Sequence, residues 1–548
     1  MGLSTFCLFL DVQGWSLLTV TTSQSAVLEP VSTVSVARDQ EASPSLLRQF
    51  LQRPSIRILG LTLGALCILG YHPFVDDAAI YVAGVEKIVS PALFQQHAEY
   101  ILPHLQHSLF SVGMGWLIRL TRAPLLPALF ATYVFSLWLT VLACWRISCQ
   151  LFLRNETRWG ATELLAATMT VPVAGTALTF VDPYLTARSF STPIILFALV
   201  FALERKPVRT VLSLLLAVLL HPLMGGYAVV YVAVLWLIRD ERWKLLGGLT
   251  LAVFAGTLLA THTPALQHAT DGYRAATLSR SYFFLNRWEW YEIFGLFPPL
   301  VAAWIGCTVH PFTLHRKCRV VCATSLYAGV SALLFSIFFV HVSGPLMLAS
   351  LQPLRIFHLI YLIFFLTLGS LLGRYILQCR VWAWALCFAA IGITMLSVQL
   401  GTYPDLAHVE WPGVASQNPW EQAFLWIRAN TPDNALFALD PRYQTLPKES
   451  TVGFRAMAER SALPDWSKDG GVAAIYPKIA PEWFADATME NPWNQWTDAQ
   501  RLQALAPYHV DWVVLSAATP TALACPYKNS LVRVCQLPAE TAPLTVNP

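Results

Sequence analysis

Long uninterrupted apolar runs are the feature that most constrains the fold of this chain. The run Leu125–Trp145, for example, contains no charged residue. A helix of about 20 apolar residues is long enough to cross a hydrocarbon core of about 30 Å. Charged residues make up only 12% of the chain, which is about half of their usual share in soluble proteins. The sequence therefore predicts a polytopic α-helical membrane protein, and it excludes a β-barrel, whose strands would alternate apolar and polar residues.

The lengths of the apolar runs predict about 11 transmembrane helices. The predicted spans are Ile58–Tyr71, Leu125–Trp145, Leu164–Phe180, Ile194–Leu203, Val211–Leu220, Leu223–Ile238, Leu245–Leu259, Ile293–Val309, Ala323–Val340, Ile356–Leu372 and Trp382–Leu400. The segment Ser108–Leu120 is predicted to be amphipathic or re-entrant and not to span. The two runs on either side of His221-Pro222 are also compatible with one broken helix.

Basic residues near the span ends set the predicted orientation. Cytoplasmic loops of membrane proteins carry an excess of Lys and Arg. If the N-terminal side of the first span is cytoplasmic, every loop assigned to the inside carries at least two basic residues near a span. The odd number of spans then places the C-terminus outside. These basic residues are Arg53, Arg57, Arg146, Arg154, Arg158, Arg205, Lys206, Arg209, Arg239, Arg242, Lys244, Arg316, Lys317, Arg319, Arg374 and Arg380.

The composition divides the chain into three regions. Residues 1–50 are predicted to be a disordered or dispensable leader. Residues 51–402 form the predicted transmembrane domain, with a large first outer loop over residues 72–123. Residues 403–548 contain no run long enough to span and are predicted to form a small soluble α/β domain on the outer face.

Local patterns predict several elements of this C-terminal domain. Pro419–Asn430 is expected to be a helix that ends before Pro432. Ala435–Leu439 and Trp512–Leu515 are expected to be buried strands, and Asp498–Leu505 a short helix.

Cys525 and Cys535 flank a hairpin signal in the same domain. An oxidising compartment would let these two thiols pair as a disulfide across the strands. The alternative is two buried free thiols.

Asp76 and Asp77 directly follow the first span, where ionisable groups are costly unless they pair or function. Two adjacent carboxylates suit a divalent metal ion such as Mg²⁺ or Mn²⁺, or a general base. The alternative is structural, since acidic residues favour the first turn of a helix such as Ala78–Val85.

Three further charged residues lie at the predicted outer ends of spans. Asp182 and Arg188 either pair with each other or supply a second carboxylate and a phosphate ligand. Arg355 would also suit a phosphate, because its planar fork gives bidentate contacts.

Tyr184 and His72 lie beside these groups in the sequence and are candidate substrate-binding residues. The loop Asp271–Glu292 adds Arg280 and Arg287 among many aromatic residues. Such a loop forms either an interfacial aromatic belt or a surface for sugars and lipid phosphates.

The order of these features resembles the GT-C superfamily of membrane glycosyltransferases, which use polyprenyl-phosphate-linked sugars. Asp76 and Asp77 match the acidic pair of the first outer loop, where the family places its catalytic base or metal ligand. Asp182 falls where several members carry a further acidic residue, and Arg355 resembles the late basic residue that holds the donor phosphate. The segment Trp426–Pro432 resembles the opening of the outer domain in many such proteins.

Two further motifs refine this resemblance. The string Gly453-Phe-Arg-Ala-Met-Ala-Glu459-Arg460-Ser, followed by Asp465-Trp466, is similar to uncharacterised bacterial polytopic membrane proteins. The outer domain contains no Trp-Trp-Asp motif, and its absence disfavours protein N-glycosylation of the oligosaccharyltransferase type.

The resemblance implies inverting sugar transfer from a polyprenyl phosphate to a cell-envelope glycan, lipid or protein acceptor. The reaction would take place at the periplasmic face of a bacterial inner membrane. Asp76 or Asp77 would deprotonate the acceptor, while Arg188 and Arg355 stabilise the leaving phosphate.

The sequence leaves a polytopic transporter and a non-catalytic envelope assembly protein as alternatives. Convergence of the acidic and basic candidates on one cavity would favour the transferase, because a scaffold has no reason to gather them. Membrane lipids are expected partners. A nucleic-acid partner is not, because the net charge is only +4 and the basic residues lie in short clusters.

Overall fold

The computed structural model describes residues 53–308, 316–446 and 452–538. The predicted leader, residues 1–50, lies outside the described residues. The described chain is mostly helical, and its only sheet lies in the C-terminal part. This architecture agrees with the predicted helical membrane protein that ends in a small α/β domain.

The helices are numbered in chain order over the described residues. They are α1 Pro54–Leu69, α2 Ala78–Val89, α3 Leu102–His107, α4 Leu109–Thr121, α5 Leu125–Leu151, α6 Asn155–Ala167, α7 Ala187–Leu203, α8 Pro207–Leu220, α9 Pro222–Arg239, α10 Trp243–Ala260, α11 Pro264–Gln267, α12 Asp271–Leu278, α13 Trp290–Gly295, α14 Phe297–Thr308, α15 Arg316–Phe339, α16 Leu346–Ala349, α17 Phe357–Leu371, α18 Val381–Thr402, α19 Pro419–Asn430, α20 Phe454–Ala458, α21 Lys468–Ile475, α22 Ala480–Met489 and α23 Asp498–Leu505.

Seven helical segments of the described chain are long and apolar enough to cross a membrane. They are α5, α9, α10, the segment formed by α13 and α14, α15, the segment from α16 to Leu377, and α18. Four shorter helices, α1, α4, α7 and α8, are also apolar. Together these helices identify a multi-pass membrane protein.

Burial separates the central segments from the peripheral ones. In the most apolar stretch of Leu346–Leu377, 67% of the residues are buried, against only 6% in α10 and 6% in α18. An exposed helix that is apolar on all sides is stable in contact with lipid but not with water. Helices α10 and α18 therefore lie at the lipid-facing periphery, and α17 lies in the core of the bundle.

The predicted spanning helix Leu164–Phe180 is wrong as a continuous helix, because α6 ends at Ala167. The Thr168 hydroxyl donates to the Leu164 carbonyl at 2.7 Å. Pro172 then prevents the helix from continuing, since it lacks an N–H and disfavours helical geometry at the residue before it. The apolar composition was sufficient for a span, but these local signals terminate the helix.

The chain from residue 168 to 186 is irregular yet hydrogen-bonded. The Val173 amide donates to the Leu178 carbonyl at 2.7 Å, and the Phe180 amide donates to the Val171 carbonyl at 3.1 Å. Irregular backbone is tolerated at membrane depth only where protein covers it or where it lines a cavity. This segment leads directly to the candidate site.

The chain reverses direction sharply at His221. Helix α8 ends at Leu220 and α9 begins at Pro222. A Cβ on Gly225 would lie 2.5 Å from the Cα of Val218, a distance that one continuous helix could not produce. The two runs around His221 are therefore separate packed helices.

The C-terminal domain contains a five-stranded sheet of order β2-β1-β3-β5-β4. Its strands are β1 Leu436–Leu439, β2 Ser461–Ala462, β3 Trp512–Ser516, β4 Ala524–Lys528 and β5 Val532–Gln536. Strands β2, β1 and β3 are parallel, whereas β5 is antiparallel to both β3 and β4.

The local predictions in this domain are confirmed. Helices α19 and α23 have the predicted bounds, β3 covers its predicted strand, and β1 begins one residue later than predicted, at Leu436. Cys525 and Cys535 form a disulfide that joins β4 to β5. This hairpin closes one edge of the sheet.

The C-terminal domain packs directly on the loop between α1 and α2. The Tyr71 amide donates to the His408 carbonyl at 2.9 Å, and the Gly453 amide donates to the Phe74 carbonyl at 2.8 Å. A Cβ on Gly453 would lie 2.0 Å from the Cβ of Ala79, so only glycine permits this approach. The motif that begins at Gly453 is thus the contact between the domain and the first loop.

Candidate active site

The turn between α1 and α2 carries the two adjacent carboxylates Asp76 and Asp77. Asp76 has φ 53°, in the left-handed region that aspartate tolerates better than most residues. The Tyr184 hydroxyl donates to Asp76 Oδ2 at 3.0 Å. Asp77 is the N-cap residue of α2, but its side chain makes no capping hydrogen bond. The position of Asp77 at the N-terminus of α2 fits the structural alternative, in which the helix dipole favours a carboxylate, and its side chain is available for contacts other than capping.

Lys468 of helix α21 forms ion pairs with both carboxylates. Its ammonium contacts Asp76 Oδ1, and it lies 3.2 Å from Asp77 Oδ1. The side chain is 19% exposed, whereas those of Asp76 and Asp77 are each 44% exposed. Burial lowers the pKa of Lys468 to about 8. No local pattern in the sequence predicts a role for Lys468 in the site.

Asp182 and Arg188 form a buried ion pair at the start of α7. Both Nε and Nη2 of Arg188 donate to Asp182 Oδ2, at 2.9 and 2.6 Å. Thr179 donates to the other carboxylate oxygen at 3.1 Å. The two side chains are 5% and 8% exposed. Asp182 thus holds Arg188 in place, and only Arg188 reaches the cavity described below.

Arg355 and Arg280 have no carboxylate partner among the residues that the structure describes. Arg355 lies over the ring of Tyr282, 5.5 Å from its centroid, and its buried Nε has no hydrogen-bond partner in the described structure. Arg280 donates from Nη2 to the Trp466 carbonyl at 2.8 Å. Both side chains are partly buried, and an enclosed guanidinium without an anion favours a ligand that supplies one.

A cavity of about 330 Å³ brings these groups together. This volume is at the lower end of the range of about 300–1,000 Å³ for small-molecule sites. Of the predicted site residues, those that line it are Asp76, Asp77, Tyr184, Arg188, Arg280 and Arg355. Lys468 and Tyr476 of the C-terminal domain form part of its wall. Four cationic side chains face two carboxylates, so the cavity favours an anion.

His104 also lines the cavity and was missed by the sequence analysis. Its Nδ1 is buried without a hydrogen-bond partner in the described structure, and its ring packs edge-on against Tyr81 at 5.4 Å. Burial lowers the pKa of His104 to about 4, so the imidazole is neutral at physiological pH. His104 is one of several histidines in the first loop, and no local pattern distinguishes it from His97 or His107.

Two predicted substrate-binding residues lie outside the cavity. His72 is buried, and its Nδ1 lies 2.8 Å from Glu410 Oε1. Arg287 is exposed and donates from Nη1 to the Leu278 carbonyl. These contacts give both residues structural roles.

The arrangement does not fit the predicted Mg²⁺ or Mn²⁺ ion. A Mg²⁺ ion takes six oxygen ligands in a near-octahedral arrangement, and several of these are usually waters. The described residues contain no group of three His, Cys, Asp or Glu side chains that could hold a metal ion. Lys468 already contacts both Asp76 and Asp77.

The comparisons with known proteins give no relative from which a function could be transferred. No protein-family model matches this chain, and no curated protein matches it.

Proposed function

We propose that this protein is a GT-C-type membrane glycosyltransferase. It transfers a sugar from a polyprenyl-phosphate donor to a cell-envelope glycan, lipid or protein acceptor. The membrane is a bacterial inner membrane, the N-terminus is cytoplasmic, and both the cavity and the C-terminal domain are periplasmic. The support for this proposal comes from the residues that share one cavity.

The observation that carries the proposal is the joint presence in one cavity of an acidic pair and of two arginines that have no carboxylate partner among the described residues. Asp76 and Asp77 lie on one loop, and Arg355 precedes α17, far away in the sequence. A glycosyl transfer from a lipid phosphate needs a base for the acceptor and cations for the leaving phosphate. A scaffold has no need for either group.

Asp77 is the better candidate for the general base. Asp76 is held by both Tyr184 and Lys468, whereas the side chain of Asp77 contacts only Lys468 among the polar contacts of the described residues. Asp77 would take the proton of the acceptor hydroxyl as that oxygen attacks the anomeric carbon. The bond from the anomeric carbon to the phosphate oxygen breaks at the same time, which is the inverting course.

The arginines account for the leaving group. The polyprenyl phosphate departs with additional negative charge on its oxygens. Arg355 and Arg280 have no carboxylate to neutralise them in the described structure, and Arg188 is oriented by Asp182. Guanidinium groups that are fixed before the reaction stabilise this charge without reorganisation.

The topology of about 11 crossings is compatible with the break after α6. The chain passes from the basic residues Arg154 and Arg158 through α6 and the irregular segment to Asp182 beside the cavity. The segment therefore counts as one crossing although only half of it is helical. With this crossing included, the basic loops stay on one side of the membrane.

Lipid-dependent stabilisation tests the proposal. Full-length protein in lipid nanodiscs is melted with undecaprenyl phosphate and with several of its sugar-linked forms. We expect one sugar-linked form to raise the Tm of the wild type. Arg355→Met should lose this shift, while Asp77→Asn should keep it and lose sugar transfer. Asp271→Asn, an exposed aspartate outside the cavity, is the matched control.

A wild type that no polyprenyl lipid stabilises would overturn the transferase. Transport or scaffolding would then be the better interpretation. Equal loss of sugar transfer in Asp271→Asn and Asp77→Asn would also argue against a specific site, because only Asp77 lies in the cavity.

A further inference from the structure

One lysine from the C-terminal domain lies between the two carboxylates of the first loop. Lys468 contacts Asp76 and Asp77 at the same time, although 391 residues separate Lys468 from Asp77. The three groups line the same cavity. The contact is therefore a feature of the candidate site and not of a distant surface.

Two adjacent carboxylates repel each other and need a cation for both to stay ionised. A metal ion or an ammonium group can supply that charge. An ammonium group also donates up to three hydrogen bonds, which is enough to engage both carboxylates. In this site the ammonium of Lys468 takes the position that a bridging metal ion would need.

The surrounding residues fix the backbone of Lys468. Asp465 accepts a hydrogen bond from the Lys468 amide at the start of α21. Arg455 Nη1 lies 2.8 Å from each carboxylate oxygen of the next residue, Asp469. Arg455 Nη2 also donates to the Ala462 carbonyl at 2.9 Å, which ties this corner to β2.

This network explains the string that the sequence analysis singled out. Gly453 docks on the first loop, Arg455 anchors Asp469, and Asp465 begins α21. In each contact, one of the two residues is close in sequence to Lys468 or to the turn that carries Asp76 and Asp77. Together, these contacts hold Lys468 next to Asp76 and Asp77.

We propose that Lys468 is the resident cation of the acidic pair and takes the place of a divalent metal. The C-terminal domain thereby supplies a positioning residue that keeps Asp76 and Asp77 ionised and oriented. The role of Lys468 in sugar transfer rests on the proposed glycosyltransferase function. Its role as the cation bound to Asp76 and Asp77 does not depend on that function. The two can therefore be tested separately.

The first test measures cation binding without any reaction. Full-length wild type, Lys468→Met and Lys468→Arg in nanodiscs are melted with and without Mn²⁺. Methionine keeps the length of the side chain and removes the charge. Lys478→Met is the matched control, because Lys478 is an exposed lysine of the same domain that does not line the cavity.

We expect Mn²⁺ to raise the Tm of Lys468→Met by several degrees and to leave wild type, Lys468→Arg and Lys478→Met unchanged. The triple variant Lys468→Met/Asp76→Asn/Asp77→Asn should lose the rise. A rise in the wild type that Asp76→Asn/Asp77→Asn removes would overturn the proposal. The absence of any rise in Lys468→Met would also overturn it, because the site would then not accept a replacement cation.

The second test uses sugar transfer. We expect wild-type transfer to be unaffected by a chelator, and Lys468→Met to be slower by about tenfold or more. Lys468→Arg should be less impaired, and Mn²⁺ should partly restore Lys468→Met. Loss of wild-type transfer on chelation would overturn the proposal. If no substrate is transferred at all, the proposed function fails, while the Mn²⁺ melting result still decides whether Lys468 is the resident cation.

Discussion

Tyr184 donates a hydrogen bond to Asp76, and the distance from its hydroxyl oxygen to Oδ2 is 3.0 Å. Tyr184 lies in the irregular segment before α7, whereas Asp76 lies between α1 and α2. This bond joins the two loops that bring the acidic pair and Arg188 to one cavity. It also satisfies one oxygen of Asp76, so that Lys468 and Tyr184 together fix that carboxylate.

The first prediction concerns this hydrogen bond. Tyr184→Phe removes only the hydroxyl and leaves the ring in its buried position. A hydrogen bond to a charged acceptor contributes about 1.5–3 kcal/mol, so we expect transfer to slow by about tenfold or more. Lipid-induced stabilisation should change little, because the arginines remain. Tyr282→Phe, which also removes only a tyrosine hydroxyl, is the control. Equal rates of transfer by the wild type and by Tyr184→Phe would refute a role of the Tyr184 hydroxyl in holding Asp76.

The second prediction concerns the buried pair of Asp182 and Arg188. Asp182→Asn would leave a buried guanidinium without its counter-ion, which costs about 3–5 kcal/mol. We expect a marked drop in Tm, and a smaller drop when Arg188→Met is combined with it. A double-mutant cycle by thermal melting measures the coupling. Additive effects of the two changes would show that the pair is not coupled.

Local patterns in the sequence were sufficient for much of the C-terminal domain. The helix α23 begins with a capping box between Thr497 and Gln500, and both residues are read directly from the sequence. The disulfide joins two cysteines that flank a short hairpin, with a sequence separation of 10 residues. Such features depend on residues that are close to one another in the sequence, and they can therefore be predicted from the sequence.

The cavity depended on contacts between distant parts of the chain. Asp76, Asp77, Arg188 and Arg355 were identified because charges at span ends are costly. Lys468 carried no comparable signal, because a lysine in a soluble domain is usually solvated. His72 was assigned to the site by its proximity in sequence, but it pairs with Glu410 instead, 338 residues away.

The third prediction concerns pH and the carboxyl groups beneath the C-terminal domain. Burial raises the pKa of Glu410 to about 8 and that of Glu421 to about 7. The folded protein therefore holds these protons at a pH where the unfolded chain, with a glutamate pKa of 4.5, has released them. The contribution of these two carboxyl groups to stability must fall as the pH rises through this window, and it levels off above about pH 8. Lys468, whose pKa burial lowers to about 8, acts in the opposite direction above that pH.

The measurement is the Tm between about pH 6.5 and pH 9. Up to about pH 7.5 the unfolded chain also binds a proton at His72, whose pKa in the folded protein is lowered by burial from 6.5 to about 4, and this linkage opposes the fall. We expect Glu410→Gln to flatten the fall in Tm and the exposed control Glu482→Gln to leave it unchanged. Identical dependence of Tm on pH in the wild type and in Glu410→Gln would contradict the proposed protonation of Glu410.

The last prediction tests the contact between the C-terminal domain and the first loop. Gly453→Ala adds a Cβ 2.0 Å from the Cβ of Ala79, so one of the two backbones must move. Gly453 has φ −68°, which alanine adopts without strain, and the effect is therefore one of packing alone. Overpacking of this kind costs about 1–3 kcal/mol. We expect a lower Tm, and a loss of transfer that exceeds the loss of stability, because the shift also moves Lys468 away from Asp77.

A compensating change separates this packing effect from a general loss of folding. Ala79→Gly removes the methyl group that Gly453→Ala would strike, so the double variant should recover most of the transfer and of the Tm. Gly401→Ala, at a position with nothing within 4 Å of the added Cβ, should behave as wild type. If Ala79→Gly gave no recovery, the harm would not arise at this contact. Contacts other than Gly453–Ala79 would then have to connect the C-terminal domain to Asp76 and Asp77.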